Sequence, residues 1–451
     1  MTSYVGESLF EYAWNEGSRG LKSLRSSLSE RGLFLFPPIR KLINQSTTYE
    51  GVWFHMKIKK MTGFAAAIMM CSAFMAGCTS KTSAATKGNQ AGDTIKIGVN
   101  MELSGAAGGY GQQEKNGIQL AVDEINAKGG VNVNGKKKKI KAIYRDNKSS
   151  TSTSSSVATQ LTTQDKVVAT IGPATTNDGT ETIPTANKTC VPFLSASATA
   201  PDFTLDKNGK VHPYVFRAYF KGDYQGSSAA KFAYETLKAK RAAILADNSS
   251  DYGIGIAKAF KQYFKGTVVD TQYFQAGDKN FNSVLTSIKS KKFDVLYVPA
   301  YYTECGAIIK QAREAGIKQP IMGADGMSDD KMVKISGAEN ATDIYYTTAF
   351  TVLTANSNPK VASYNKAYKD KYGEDSPTFA ALSYDSVYMI KQAIETEKSA
   401  DSVKIQQGLA KIKNFKGVTG DTTMDAKHNP KKAITIVKLE NGKPSKGYVV
   451  K

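Results

Sequence analysis

From Thr94 onward, short runs of β-branched and apolar residues alternate with longer stretches in which apolar positions recur every three or four residues. The short runs predict buried strands and the longer stretches predict helices with one apolar stripe. Residues 95–99, 140–144, 167–171 and 191–194 form one strand series, and 241–245, 268–269, 295–298 and 321–322 form a second. Helices are predicted between them, as over 112–128, where Ile118, Ala121, Val122 and Ile125 share a stripe, and over 305–315. Such alternation predicts βαβ units and parallel sheets covered by helices on both faces. Extended aromatic segments at 214–220 and 345–350 flank the second series, helices at 361–372 and 383–397 follow, and a last strand is expected at 433–439. The class is therefore α/β, with two doubly wound lobes: 94–217 with 349–424, and 218–348 with 425–451. A chain that crosses between lobes more than once builds a hinge, and ligand clefts form between such lobes.

Residues 56–77 carry a different pattern. Lys57, Lys59 and Lys60 give a positive start, and an uncharged stretch runs from Met61 to Gly77. The stretch is short beside the about 20 apolar residues of a spanning helix, and it fits a signal peptide. It ends in Phe74-Met75-Ala76-Gly77-Cys78, which resembles the lipobox of bacterial lipoproteins and marks Cys78 for lipidation, although Leu is usual where Met75 stands. Residues 78–93, a Ser/Thr/Ala/Gly/Lys tract without apolar period, read as a flexible tether. Signal peptides begin chains, so residues 1–55, which lack strand or helix period, read as a start-site artefact or a disordered extension.

The 451 residues include 60 Lys or Arg against 40 Asp or Glu, and 41% are hydrophobic. That is a globular composition. Residues 1–77 hold nine basic and five acidic groups, so 51 basic face 35 acidic in the remainder, a net +16. The lysines are spread along predicted helices instead of clustering, which argues against nucleic acid as a partner. Their one tight run, Lys136 to Lys139 after Asn134-Gly135, reads as a solvated hairpin flank, and a basic surface also suits a protein held near an anionic membrane. Three histidines and four scattered cysteines offer no metal-ligand spacing. The glycine-rich run 105–111 lacks the Gly-Lys-Ser/Thr of a phosphate loop, and no Gly-x-Ser-x-Gly elbow is present, so no cofactor and no catalytic residue are expected and the protein is read as a non-enzyme.

Several motifs, in order, resemble the branched-chain amino-acid-binding proteins of bacterial ABC importers, members of the type I periplasmic-binding-protein superfamily. They are Leu103-Ser104-Gly105 with Tyr110-Gly111, AVDEINAKGG over 121–130, Ile171-Gly172, and Ser197 to Pro201. The series continues with Asp251-Tyr252-Gly253, KQAREAG over 310–316, Met322 to Gly326, FKGVTG over 415–420 and His428-Asn429-Pro430. The resemblance implies the type I fold from about Thr94 to the C-terminus. It also implies an extracytoplasmic, membrane-anchored protein that captures an amino acid by hinge closure and presents it to an ABC permease.

Carried over residue by residue, the resemblance assigns Thr176 and Thr175 as hydroxyl donors to the ligand carboxylate. It assigns the Ser197 carbonyl and the Thr199 hydroxyl from a second loop, and Asp325 as the partner of the ammonium. Tyr110, Tyr252 and Tyr301 wall the side-chain pocket. The chemistry is consistent, because a buried zwitterion must recover its hydration through hydrogen bonds and an opposite charge. Taken alone, Thr175 and Thr176 could cap a helix, and Ser197, Thr199 and Asp325 could be turn residues. The sequence departs from relatives that carry a first-lobe disulfide, since Thr175 stands at one of those cysteine positions, and Cys190 and Cys305 read as free thiols. Asp325 is shorter than the Glu common there. A lipid-anchored sensor that signals to a membrane kinase or receptor is the alternative use of the same fold.

Overall fold

A computed structural model of the protein describes residues 88–450. Residues 1–55, the expected signal over 56–77, Cys78 and the tether up to residue 87 lie outside them. In the first half of the chain, β1 (Ile95–Met101) is followed by the pair β2 (Val131–Val133) and β3 (Lys136–Lys138). Next come β4 (Ile140–Asp146), β5 (Ala169–Ile171), β6 (Phe193–Ser195) and β7 (Val215–Arg217). Five of these form an all-parallel sheet in the order β4-β1-β5-β6-β7. The β2–β3 hairpin turns through Asn134 and Gly135, both at positive φ (50° and 88°), as a two-residue turn requires. This places Lys136 to Lys138 on an exposed ribbon, as their flanking of Asn-Gly predicts.

The second sheet is built from β8 (Arg241–Asp247), β9 (Thr267–Phe274), β10 (Val295–Val298), β11 (Ile321–Gly323) and β12 (Ile344–Thr348). After a small sheet of β13 (Phe415–Gly417), β14 (Gly420–Met424) and β15 (Pro430–Lys431), the chain returns as β16 (Ile434–Glu440) and β17 (Lys443–Val450). The order is β17-β16-β12-β11-β10-β8-β9, parallel except for the last two strands. β17 goes beyond the expected elements. It is reached through Asn441-Gly442, again both at positive φ (48° and 74°), the same signal that builds the β2–β3 turn.

The chain passes from one sheet to the other after β7, back after β12, and forward again before β16, giving three crossings. The helix Thr378–Glu397 returns to pack on Gly108–Ala127, where Ser383 Oγ donates to the Glu114 carbonyl at 2.8 Å. Two expectations shift. Residues 425–431, assigned to the second lobe, stay with the first: β15 pairs with β14, and His428 stacks on Phe216 with ring centroids 4.0 Å apart. Residues 88–93, the end of the expected tether, are held to the fold, since Asn89 donates to the carbonyls of Thr162 and Val167 and its N–H to Ser402 Oγ.

Candidate functional site

In parallel sheets, binding loops gather beyond the carboxyl ends of the strands. The loops after β5 and β6 supply Ala174 to Thr176 and Ser197 to Thr199, and those after β8, β10 and β11 supply Tyr252, Tyr301 and Asp325. Of these, Ala174, Thr175, Thr176, Ser197, Tyr252, Tyr301 and Asp325 line, with Tyr110, Gly326 and Phe379, one small, tight cavity. Seven of the eight candidate residues line this cavity, and the eighth, Thr199, is joined to it through its N–H, which donates to Thr176 Oγ1 at 3.3 Å.

The polar groups divide by lobe. Asp325 is buried, and desolvation pushes its carboxyl up to about 6; the groups that oppose this, Tyr252 and backbone N–H groups among them, are neutral, and the Asp325 N–H donates to Gln225 Oε1 at 3.2 Å. Tyr252 Oη donates to Asp325 Oδ1 at 2.9 Å and accepts from Gly326 N at 2.8 Å. Opposite, Thr176 and Thr199 are buried, and the Thr199 hydroxyl has no protein partner among the described residues. A buried hydroxyl without a bond is costly, and this one belongs to a residue whose N–H bonds a lining side chain.

Thr175 is placed differently from Thr176. Its hydroxyl and N–H both bond Glu102 Oε1, at 2.9 and 3.0 Å, and the Ala174 N–H bonds Oε2 at 2.9 Å. The hydroxyl expected to meet a carboxylate is thus spent on shaping the loop, and it does not cap the helix Thr176–Thr180 either. The Glu102 carboxyl is raised by burial and by neighbouring Asp178. The loop 197–200 is fixed by Arg217, whose guanidinium donates to the Ala198 and Ala200 carbonyls at 3.4 and 2.7 Å.

The cavity walls are aromatic. Tyr252 and Tyr301 stack with centroids 4.7 Å apart, and Tyr110 meets Phe379 at 4.8 Å. The Tyr110 hydroxyl donates to the Gly326 carbonyl at 2.5 Å and accepts from Tyr302 N at 2.9 Å, so it faces protein and leaves its ring to the cavity. The same bonds tie the lobes together. Tyr302 Oη donates to the Ala106 carbonyl at 2.7 Å and accepts from Gly109 N at 3.2 Å, and Gln113 Nε2 donates to Asp329 Oδ2 at 2.9 Å. The glycine-rich run 105–111 therefore receives the other lobe instead of a phosphate, and Gly108 to Gly111 form the first turn of the helix Gly108–Ala127 rather than a loop.

Phe379, Gln225, Arg217, Glu102 and Tyr302 were not among the expected site residues. Phe379 begins a helix far along the chain, and no local motif marks it. FKGVTG, in contrast, stands away from the cavity: the Val418 and Thr419 N–H groups and the Thr419 hydroxyl all bond buried Asp385.

Two sheets joined by three crossings, with a small polar-ended aromatic cavity between them, are the architecture of a hinged ligand-binding protein. Comparison with known proteins agrees. A family model described as periplasmic binding protein matches residues 94–444. The Leu/Ile/Val-binding protein BraC3 of Rhizobium johnstonii is 31% identical over 363 residues, covering 77% of this chain and 92% of its own. The leucine-, isoleucine-, valine-, threonine- and alanine-binding protein of Pseudomonas aeruginosa is 27% identical over 75% of this chain and 88% of its own. Among solved structures, the branched-chain amino acid transporter substrate binding protein LivJ of Streptococcus pneumoniae, in complex with isoleucine, is 42% identical. It superposes with a TM-score of 0.74 over 79% of this chain and 99% of its own. The chain belongs to the branched-chain amino-acid-binding family of type I periplasmic binding proteins, a family of extracytoplasmic substrate-binding proteins rather than of enzymes.

Proposed function

We propose that this protein binds an amino acid with a branched aliphatic side chain and delivers it to an ABC permease from a lipid anchor on Cys78. The observation that carries the reading is the pairing, across one small cavity, of a buried acid on one lobe with buried hydroxyls on the other. The ligand ammonium meets Asp325, the Ser197 carbonyl and Thr199 Oγ1; the carboxylate meets the Thr176 hydroxyl. Each lobe then holds part of the zwitterion, so ligand favours the closed state through contacts that the open state lacks. The rings of Tyr110, Tyr252, Tyr301 and Phe379 support an apolar side chain, because the hydroxyls of Tyr110 and Tyr252 are already bonded to protein.

A thermal-shift screen of the purified protein against the common amino acids, amides, urea and simple carboxylates tests this. A ligand that binds only the folded state stabilises it by about 2.7 kcal/mol at roughly a hundredfold excess over Kd. The expected result is a rise with leucine, isoleucine or valine. A rise only with compounds that are not amino acids would overturn the roles of Thr199 and Asp325.

A further inference from the structure

Ser197 stands where the two binding loops of the first lobe meet. Its Oγ lies 2.8 Å from the Ala174 carbonyl and 2.5 Å from Glu114 Oε1. A serine hydroxyl carries one proton, and a carbonyl can only accept. Both contacts are hydrogen bonds at once only if Ser197 gives its proton to Ala174 and receives one from Glu114. We infer that Glu114 acts as a neutral carboxylic acid whose proton ties loop 174–176 to loop 197–199, making it a positioning residue for the zwitterion. The inference rests on the amino-acid-binding reading above.

The surroundings of Glu114 fit that state. It sits fully buried on the helix Gly108–Ala127, and its second oxygen, Oε2, has no partner among the described residues. Two bonds would be wanted there by an anion; a neutral acid tolerates the lack better. The charge that acts on it is another acid, Glu102 at the end of β1, itself beside Asp178 of the helix Thr176–Thr180. The helix Thr378–Glu397 presents Ser383, which bonds the Glu114 backbone carbonyl and not the carboxyl. Burial, with the Ser197 contact working against it and Glu102 with it, pushes the Glu114 carboxyl up to about 8. The tie is present below that pH and is lost above it, when Ser197 must turn its proton to the carboxylate and the Ala174 carbonyl is left unbonded.

The test is isothermal titration of isoleucine into the purified protein and its Glu114→Gln, Glu114→Ala and Ser197→Ala variants between pH 6.5 and 9. A glutamine amide donates to Ser197 at every pH. The ligand's own ammonium titrates alike in all the proteins, so the readout is the difference between their pH profiles. Over this range the parent should lose about fivefold more affinity than Glu114→Gln, the equivalent of one neutral hydrogen bond. Glu114→Ala should bind more weakly than Glu114→Gln at pH 6.5, and Ser197→Ala should bind weakly with no excess loss at high pH. Parallel profiles for the parent and Glu114→Gln would overturn the inference and assign any shared titration to Glu102, Asp178 or the ligand. Should Glu114→Gln fail to fold, a parent-like profile in Ser197→Ala would overturn it in the same way. If the parent bound no amino acid at any pH, the functional reading would fall instead.

Discussion

In the proposed site one side chain, Asp325, would carry both affinity and pH dependence. It is buried on the second lobe with neutral donors around it, and its carboxyl is raised to about 6. Replacing it by alanine removes the charge partner of the ammonium, and Kd for isoleucine should rise roughly ten- to a hundredfold, the range for a hydrogen bond to a charged group. Calorimetry on Asp325→Ala checks this, and an unchanged Kd would dismiss the site. The sign of the pH effect follows from the raised carboxyl. Above pH 6 the acid is ionised and pairs with the ammonium; below it the acid is neutral, so affinity should fall as pH drops through about 6. Thr175 and Thr176 carry the complementary lesson. Both line the cavity, yet Glu102 takes the Thr175 hydroxyl, whereas the Thr176 hydroxyl accepts from the Thr199 N–H. The partner that separates them lies 73 positions away, and no local pattern announces it.

At the scale of elements, the informative contact is between the first turn of the helix Gly108–Ala127 and the opposite lobe. A Cβ added to Gly109 would run into Asp329 Oδ2 and lie 3.0 Å from Tyr302 Cε1, both second-lobe atoms. Gly109→Ala should therefore hinder closure while leaving each lobe's own packing intact. We expect about tenfold weaker isoleucine binding, in line with the cost of overpacking a tight contact, and little change in ligand-free melting. Small-angle scattering should show the variant more extended than the parent at saturating isoleucine; identical curves would dismiss the contact as unimportant to closure. The strands and most helices follow from their apolar periods, as at β1, β10 and the helix Pro359–Tyr372. The glycine-rich turn does not, because its glycines reflect what approaches from outside the helix and not what the helix itself prefers.

For the whole molecule, the buried acids bear on stability. Glu102 and Glu114 are both raised in the fold by burial, Glu114 to about 8, whereas the unfolded chain returns them to the ordinary carboxylate range. Between those values the folded state holds more protons, so stability is greatest in mild acid and declines as pH rises toward 8. Calorimetric melting of the ligand-free protein should show Tm falling from pH 5 to pH 8, with a smaller fall in Glu114→Gln; a rise over that window would refute the assignment. Attachment is tested apart from folding: Cys78→Ser should move the protein from the membrane fraction to the soluble extracytoplasmic fraction with isoleucine binding retained. Alternation of short apolar runs with helical stripes determined the two-lobed α/β class from sequence alone, since buried parallel strands and their covering helices must each show their period locally. Ordered motifs picked out Tyr110, Thr175, Thr176, Ser197, Tyr252, Tyr301 and Asp325, which the fold brings to one cavity, and Thr199, whose N–H bonds Thr176 beside it. Only the tertiary structure decided that Phe379 closes that cavity, that Arg217 and Glu102 hold its loops, that residues 425–431 remain with the first sheet, and that Ser197 joins Ala174 to Glu114. Those relations depend on which distant segments share a desolvated space, and burial beside a remote partner leaves no periodic trace in the chain.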